Sequence, residues 1–237
     1  MELNKTKWLE EDTCVFNEYL KSFGQPEKTE WSKRILNSKM DVLAIPTKKL
    51  HHIAQSITKG NYQSFLDLNI FDNYESVALY GMILCHIKDF ELMKSYLTIY
   101  LDVMENWAHV DLLSLPITKD NQEDFIKLSY NYLKDIRPFV RRLSLMILFQ
   151  MRKNHSVLPI VFEHVISLKD EDEYYVIMMA GWLLSECVIL YKDETLNFLR
   201  SYDHLNKKIV NKCIQKCRES RRFTLEEKED LLQYKMK

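Results

Sequence analysis

The chain has 237 residues, 46 % of them hydrophobic, and carries 33 Lys and Arg against 34 Asp and Glu. This length and apolarity are enough to bury a sizeable core, which argues against disorder, and the balanced charge excludes a uniformly basic binding protein but not a local basic patch. With only 4 Gly and 5 Pro, the chain lacks the turns of β-sandwiches and the Gly-rich loops of nucleotide-binding folds, so we predict an all-α protein.

Apolar residues recur at helical spacing along the whole chain, in segments separated by short polar joints. Pro138 lies where a first helical turn would begin, and Thr224 with Glu227 matches a capping box. Together these signals predict helices over residues 10–23, 28–39, 46–58, 61–69, 73–87, 89–105, 107–115, 121–135, 138–153, 155–168, 173–190, 193–201, 204–219 and 224–235.

Pairs of these helices recur at roughly 35–45 residues, the spacing of helical-repeat solenoids. Because the joints are short, neighbouring helices are expected to form antiparallel hairpins. A compact helical bundle is the competing architecture, and the number of helices favours the curved solenoid. No joint is long enough to be an interdomain linker, so we predict a single domain over residues 1–237.

The cysteines and the apolar segments indicate the compartment. The chain has 5 Cys, an odd and scattered set, which is typical of reduced thiols in a cytosolic protein. Cys213 and Cys217 lie one helical turn apart, but no further well-spaced ligands accompany them, so neither a metal nor a cofactor is expected. The N-terminus does not resemble a signal peptide and no apolar stretch reaches about 18 residues. We therefore expect a cytoplasmic protein without a membrane partner.

Positive charge is concentrated in the second half of the sequence. Residues 1–136 carry 15 Lys and Arg against 20 acids, whereas residues 137–237 carry 18 against 14. Within residues 200–222, Lys208, Lys212 and Lys216 are spaced by four and share one helix face. The apolar face of that helix is expected to be buried and consists of Ile209, Val210, Cys213, Ile214 and Cys217. The lysine face is either an ordinary solvated surface or a phosphate-binding track.

A second basic pair, Arg141 and Arg142, lies near a predicted helix start. The helix dipole disfavours cations at that position. The misfit favours an anionic partner for one of the two arginines.

Four short motifs follow one another at characteristic spacing. Trp107 and Asp111 are four residues apart and so reach one helix face; a Pro-Phe-Val-Arg-Arg segment ends at Arg142; an Ala-Gly-Trp segment contains Trp182; and the basic helix follows. In order and spacing these motifs resemble the AlkD family of HEAT-like repeat DNA glycosylases, the DNA alkylation repair proteins. The similarity runs from about Phe16 to the final helix and includes the stretch from 40 to 50.

The resemblance implies a curved solenoid of HEAT-like antiparallel repeats whose cationic face grips double-stranded DNA, acting as a monomer without a cofactor. The family removes cationic alkylpurines such as 3-methyladenine and 7-methylguanine. By position, Trp107, Asp111 and Trp182 match its active-site residues. Arg142 matches its DNA-contacting arginine, and Arg141, Lys48 and the lysine face would add phosphate contacts. A carboxylate suits this chemistry because it stabilises the positive charge that develops on the sugar, and indole faces attract cations.

One position departs from the family pattern. The second arginine expected three residues after Trp182 is Ser185, which brings base excision into question more than DNA binding. A non-catalytic binder of damaged or branched DNA is therefore an alternative, and a protein-interaction scaffold is a third. Trp182 also fits a packing role beside a close helix crossing at Gly181. His109 is expected on the surface or directly behind the site.

Overall fold

The computed structural model describes residues 1–202 and 204–236. These residues form helices and connecting segments, with no strand among them. The α-helices are α1 Asp12–Lys21, α2 Pro26–Leu36, α3 Thr47–Ile57, α4 Tyr62–Leu66, α5 Tyr74–Leu84, α6 Phe90–Val103, α7 Trp107–Asp111, α8 Gln122–Leu133, α9 Pro138–Met151, α10 Leu158–Ser167, α11 Tyr174–Leu190, α12 Lys192–Ser201, α13 Lys207–Glu219 and α14 Leu225–Asp230. Short 3₁₀ helices at His155–Val157 and Leu231–Tyr234 precede α10 and follow α14.

The predicted all-α class is confirmed for the described residues, and each predicted helix has a counterpart. Pro138 occupies the first turn of α9, and Thr224 with Glu227 forms a capping box at α14. The last predicted helix breaks into α14 and a 3₁₀ turn. The described residues fall into two compact units, Met1–Pro116 and Ile117–Lys237. The single domain over residues 1–237 stays a prediction.

Unit 1 is built around α5, of which every residue except Tyr74 is buried. Gly81 allows α6 to approach, because a Cβ at this position would lie 2.6 Å from the hydroxyl oxygen of Tyr100. Unit 1 also contains an aromatic cluster, in which the rings of Trp8 and Phe16 pack edge-on against Phe65 with centroids 4.9 and 5.0 Å away. Thus α5 forms the centre of the unit.

Unit 2 is layered, with α9, α11 and α13 stacked side by side. Arg142 of α9 contacts Tyr175 of α11, 33 residues on, and Arg152 at the end of α9 contacts Glu186, 34 residues on. Because the offset is nearly constant along both helices, α9 and α11 run parallel, as equivalent helices of successive repeats do. The offset is slightly shorter than the predicted spacing. This stacking favours the helical-repeat prediction over the compact bundle.

Gly181 lies where α11 and α13 approach each other closely. A Cβ there would lie 2.6 Å from Cγ of Lys212 and 3.1 Å from the backbone nitrogen of Cys213. The close helix crossing predicted at Gly181 is therefore confirmed. The apolar face predicted for α13 is also buried, with Ile209, Val210, Cys213, Ile214 and Cys217 all at 1 % exposure or less.

The five cysteines are free thiols: Cys14 is exposed, Cys85 is half-buried, and Cys187, Cys213 and Cys217 are buried. No helix among the described residues is long and apolar enough to cross a membrane.

Candidate active site

The short helix α7 carries the predicted Trp107 and Asp111 at its two ends. It begins after Asn106, whose side-chain oxygen accepts hydrogen bonds from the backbone N–H groups of Ala108 and His109 at 3.0 and 3.1 Å. This cap satisfies two N–H groups that a helix start otherwise leaves without partners. A five-residue helix with a buried cap thus presents the indole and the carboxylate four residues apart.

The Trp107 ring is half-buried and fixed by a hydrogen bond. Its indole N–H donates to the carbonyl of Ile35 at 3.3 Å, which ties α7 to the end of α2. Asp111, at the other end of α7, is half-buried. The predicted pair therefore lies on one short element of unit 1.

His109 holds α7 from behind. It is fully buried, and its ring stacks on Tyr74 at 4.7 Å while Nε2 donates to the Tyr74 carbonyl at 3.1 Å. Nδ1 faces the backbone N–H of Glu105 at 3.3 Å, so it accepts and the ring is neutral. Burial lowers the pKa of His109 to about 4. The surface position considered for this residue is wrong, since its side chain lies within the unit and positions the helix.

A buried carboxylate, Glu75, organises the loop that precedes α3. Its two oxygens accept hydrogen bonds from the backbone N–H groups of Leu43 at 2.9 Å and Ile45 at 3.2 Å. Burial raises the pKa of Glu75, although these N–H groups act in the opposite direction. Between them, Ala44 takes a left-handed conformation with φ of 57°. Residues 40–50 are therefore held in place by Glu75, which lies outside that stretch of the sequence.

A cavity of about 330 Å³ lies beside this loop in unit 1. Its lining includes Trp31, Ile35, Tyr74 and Glu75, and Trp31 is 57 % exposed. Sequence patterns did not reveal this cavity, because it depends on how α2, α5 and the loop pack. Lys48, predicted to contact DNA, lies on the exposed side of the neighbouring helix α3.

In unit 2, Arg142 lies on α9 and is only 5 % exposed. Its guanidinium donates to the carbonyl of Tyr175 at 2.6 Å, so the side chain reaches from one layer to the next. The DNA contact predicted for Arg142 is untested by these contacts. It stays a prediction.

Arg141 forms an ion pair with a carboxylate of the same chain. Its guanidinium pairs with both oxygens of Glu171 at 2.7 and 3.1 Å, and it also donates to the carbonyls of Asp135 and Ile136. Burial would raise the pKa of Glu171, but Arg141 together with the backbone N–H groups of Asp172 and Glu173 holds that pKa below its usual value. A DNA contact by Arg141 stays a prediction and would require the arginine to exchange this carboxylate.

Trp182 is half-buried on α11 and packs against Phe149 of α9, with ring centroids 4.4 Å apart. The packing role considered for Trp182 is confirmed by this contact, and its active-site role stays a prediction. Ser185 is 3 % exposed, and its hydroxyl donates to the Trp182 carbonyl at 2.7 Å. The position that departs from the family pattern thus points into the unit.

The lysine face of α13 is partly neutralised by neighbours. Lys208 is exposed and pairs with Asp172, whose pKa this hydrogen bond lowers. Lys216 lies 3.4 Å from Glu219, and Lys212 donates to the side chain of Gln215 at 2.8 Å. The three lysines share a face as predicted, and binding of phosphate by that face stays a prediction.

Comparison with known proteins gives one informative result. A family model described as DNA alkylation repair enzyme matches residues 16–217, which include every predicted site residue. Neither the curated proteins nor the solved structures gave a match.

Proposed function

We propose, from the premise that the chain belongs to the DNA alkylation repair enzyme family, that it is a monofunctional DNA glycosylase. Its substrate would be double-stranded DNA carrying cationic alkylpurines such as 3-methyladenine and 7-methylguanine. The observation that carries this proposal is the pairing of Trp107 with Asp111 on one short helix, held by a buried neutral His109. The family description supplies repair of alkylated DNA, and the hydrolytic step is our proposal.

The chemistry needs little beyond a well-placed carboxylate. Alkylation at N3 or N7 gives the base a positive charge, so the base leaves readily when the C1′–N bond breaks and its nitrogen keeps the electron pair. The sugar is then cationic, and Asp111 stabilises that charge and orients the attacking water. Water adds at C1′ and releases one proton, to Asp111 or to solvent.

The indole rings and the basic residues would bind the substrate. Trp107 and Trp182 offer electron-rich faces to the cationic nucleotide, an attraction worth roughly 0.5–2 kcal/mol per ring. Arg142, Arg141, Lys48 and the lysine face of α13 would contact phosphates, which fixes the protein on DNA without reading sequence. We propose that the protein acts as a monomer on chromosomal DNA in the cytoplasm of a bacterial-type cell.

A second candidate is a DNA-binding protein that keeps the fold without base excision. Ser185 favours it, because this small buried side chain replaces an arginine that the family resemblance leads one to expect near Trp182. Such a protein would bind damaged or branched duplexes and release no base.

The deciding experiment is base release from duplex DNA containing 7-methylguanine, with the free base detected by chromatography. Asp111→Asn keeps the size of the side chain and removes its charge, so it should abolish release while duplex affinity stays within a few-fold. The matched control is Asp193→Asn, which removes an exposed carboxylate on α12 and should release base at the wild-type rate. Salt-sensitive DNA binding without release by the wild type would favour the second candidate.

A further inference from the structure

Three successive layers of unit 2 converge on one carboxylate. Glu186 of α11 receives Nε of Arg152, at the end of α9, at 3.2 Å and Nη1 of Arg222, after α13, at 3.3 Å. Both arginines contact the same oxygen atom, Oε2. Two cations therefore share one anion, and the cluster keeps a net positive charge.

This cluster lies beside Trp182. The guanidinium carbon of Arg152 sits 4.1 Å from the centre of the Phe149 ring, and that ring packs on Trp182. Arg152 also donates to the Phe149 carbonyl at 2.8 Å, so its orientation is fixed by stacking and by two hydrogen bonds. A fixed guanidinium loses less conformational entropy on binding than a free side chain.

The two arginines retain hydrogen-bonding capacity. Within the described part of the chain, Nη2 of Arg152 and both Nε and Nη2 of Arg222 have no hydrogen-bond partner. The Arg222 side chain is 58 % exposed and that of Arg152 is 24 % exposed, while Glu186 is 14 % exposed. The carboxylate is thus enclosed, and the unused N–H groups belong to the more accessible cations.

We propose that Arg152 and Arg222 form a phosphodiester-binding pair beside Trp182, with Glu186 as the internal counterion that holds them together. The planar guanidinium presents paired donors that match phosphate oxygens. Because the Arg222 side chain is 58 % exposed, its contact with Glu186 exchanges at little cost, so a phosphate can replace that contact while Arg152 stays paired and offers Nη2. This inference rests on the proposed DNA substrate and assigns two further residues to its backbone.

The test is the affinity for an unmodified duplex, measured by fluorescence anisotropy over a range of salt concentrations. Arg222→Ala and Arg152→Gln should each weaken binding by about 3–10-fold and lower the slope of log K against log salt by about 0.9, the value for one lost phosphate contact. Arg200→Ala is the matched control, because it removes an arginine of α12 that lies over Tyr234 and is not part of the cluster around Glu186. It should leave both quantities unchanged.

Glu186→Gln separates a binding role from a structural one. The amide keeps the shape of the side chain and removes its negative charge, so we expect DNA to bind about 2–5-fold more tightly as the local positive potential rises. Thermal unfolding of each variant checks that it is folded. Because Arg222 is exposed, Arg222→Ala tests the proposal even if Arg152→Gln disturbs packing on Phe149. Unchanged affinity of Glu186→Gln would contradict the proposal.

The outcomes distinguish this proposal from the proposed function. Wild-type protein that releases base, together with arginine variants of unchanged salt slope, would overturn the phosphate-binding pair alone. Wild-type protein that shows no salt-dependent binding to duplex DNA would overturn both.

Discussion

The α7 segment of unit 1 and the α13 helix of unit 2 hold their predicted site residues by opposite means. Helix α7 is fixed from within, by the Asn106 cap and the neutral ring of His109, both fully buried. The lysines of α13 are held at the surface, where Lys208 and Lys216 pair with exposed acids. The first arrangement depends on packing and pH, whereas the second depends on ionic strength.

We expect the largest effects on stability from two glycine variants that disturb helix packing. At Gly81→Ala the new methyl meets the hydroxyl of Tyr100, which donates to the His109 carbonyl at 2.8 Å. At Gly181→Ala it meets Lys212 and the α13 backbone. Each should lower the free energy of unfolding by about 1–3 kcal/mol, as overpacking does.

At saturating protein, base release should fall mainly in Gly81→Ala, which disturbs the residues that hold α7, whereas Gly181→Ala, beside Trp182 and Lys212, should act mainly on duplex affinity. Urea unfolding and base release at a temperature where both variants stay folded would check this. Equal loss of release in the two variants would show that α7 has no special dependence on the Tyr100–His109 contact.

Acid should weaken the fold through His109. Its pKa falls from an ordinary 6.5 to about 4 in the folded protein, so below pH 6.5 the unfolded chain takes up a proton that the native state resists. The stability is fully present above pH 6.5 and is lost as the pH falls towards 4. Between pH 7.5 and 5.0 this one group should cost about 2 kcal/mol of unfolding free energy.

The His109→Gln variant provides the control for that pH dependence. Its amide does not titrate, so the loss of stability between pH 7.5 and 5.0 should shrink by about the share assigned to His109. Burial also lowers the pKa of His164 in unit 2, and that contribution should persist. A variant with the full wild-type pH dependence would mean that His109 is not buried as a neutral ring.

The contribution of the α13 surface to DNA binding can be measured by combining Lys208→Ala with Lys212→Ala. Because Lys208 already pairs with Asp172, we expect duplex affinity to fall only a few-fold. Each lost phosphate contact would lower the slope of log K against log salt by about 0.9, and we expect the double variant to lose less than two such contacts. Asp172→Asn should act in the opposite direction by releasing Lys208. Unchanged affinity in the double variant would remove α13 from the DNA-binding surface.

Local patterns were sufficient for the helices, because apolar periodicity, Pro138 and the Thr224 capping box act within a few residues. The pairing of Trp107 with Asp111 also follows from spacing along one helix. The contacts that hold the site cannot be inferred from spacing along one helix. Glu75 binds a loop about 30 residues before it, and its only local signal was a lone acid at the start of an apolar helix.

The identities of the partners in long-range ion pairs were equally hidden from sequence patterns. The misfit of a cation near the start of α9 correctly indicated an anionic partner, which for Arg141 is Glu171, 30 residues away in the chain. The cluster of Arg152, Glu186 and Arg222 gave no local signal, because its members come from three layers whose stacking offset only the folded unit reveals.

Asp111 is proposed to promote cleavage of the bond between a cationic alkylpurine and its sugar. This role can be tested by release of 7-methylguanine from duplex DNA by wild-type protein and by Asp111→Asn, with folding and duplex affinity measured alongside. This role of Asp111 predicts release by the wild type and a loss of about 100-fold or more in the variant, the scale of one lost electrostatic stabiliser. Equal release by the two proteins, or none by a wild type that binds the duplex, would contradict it.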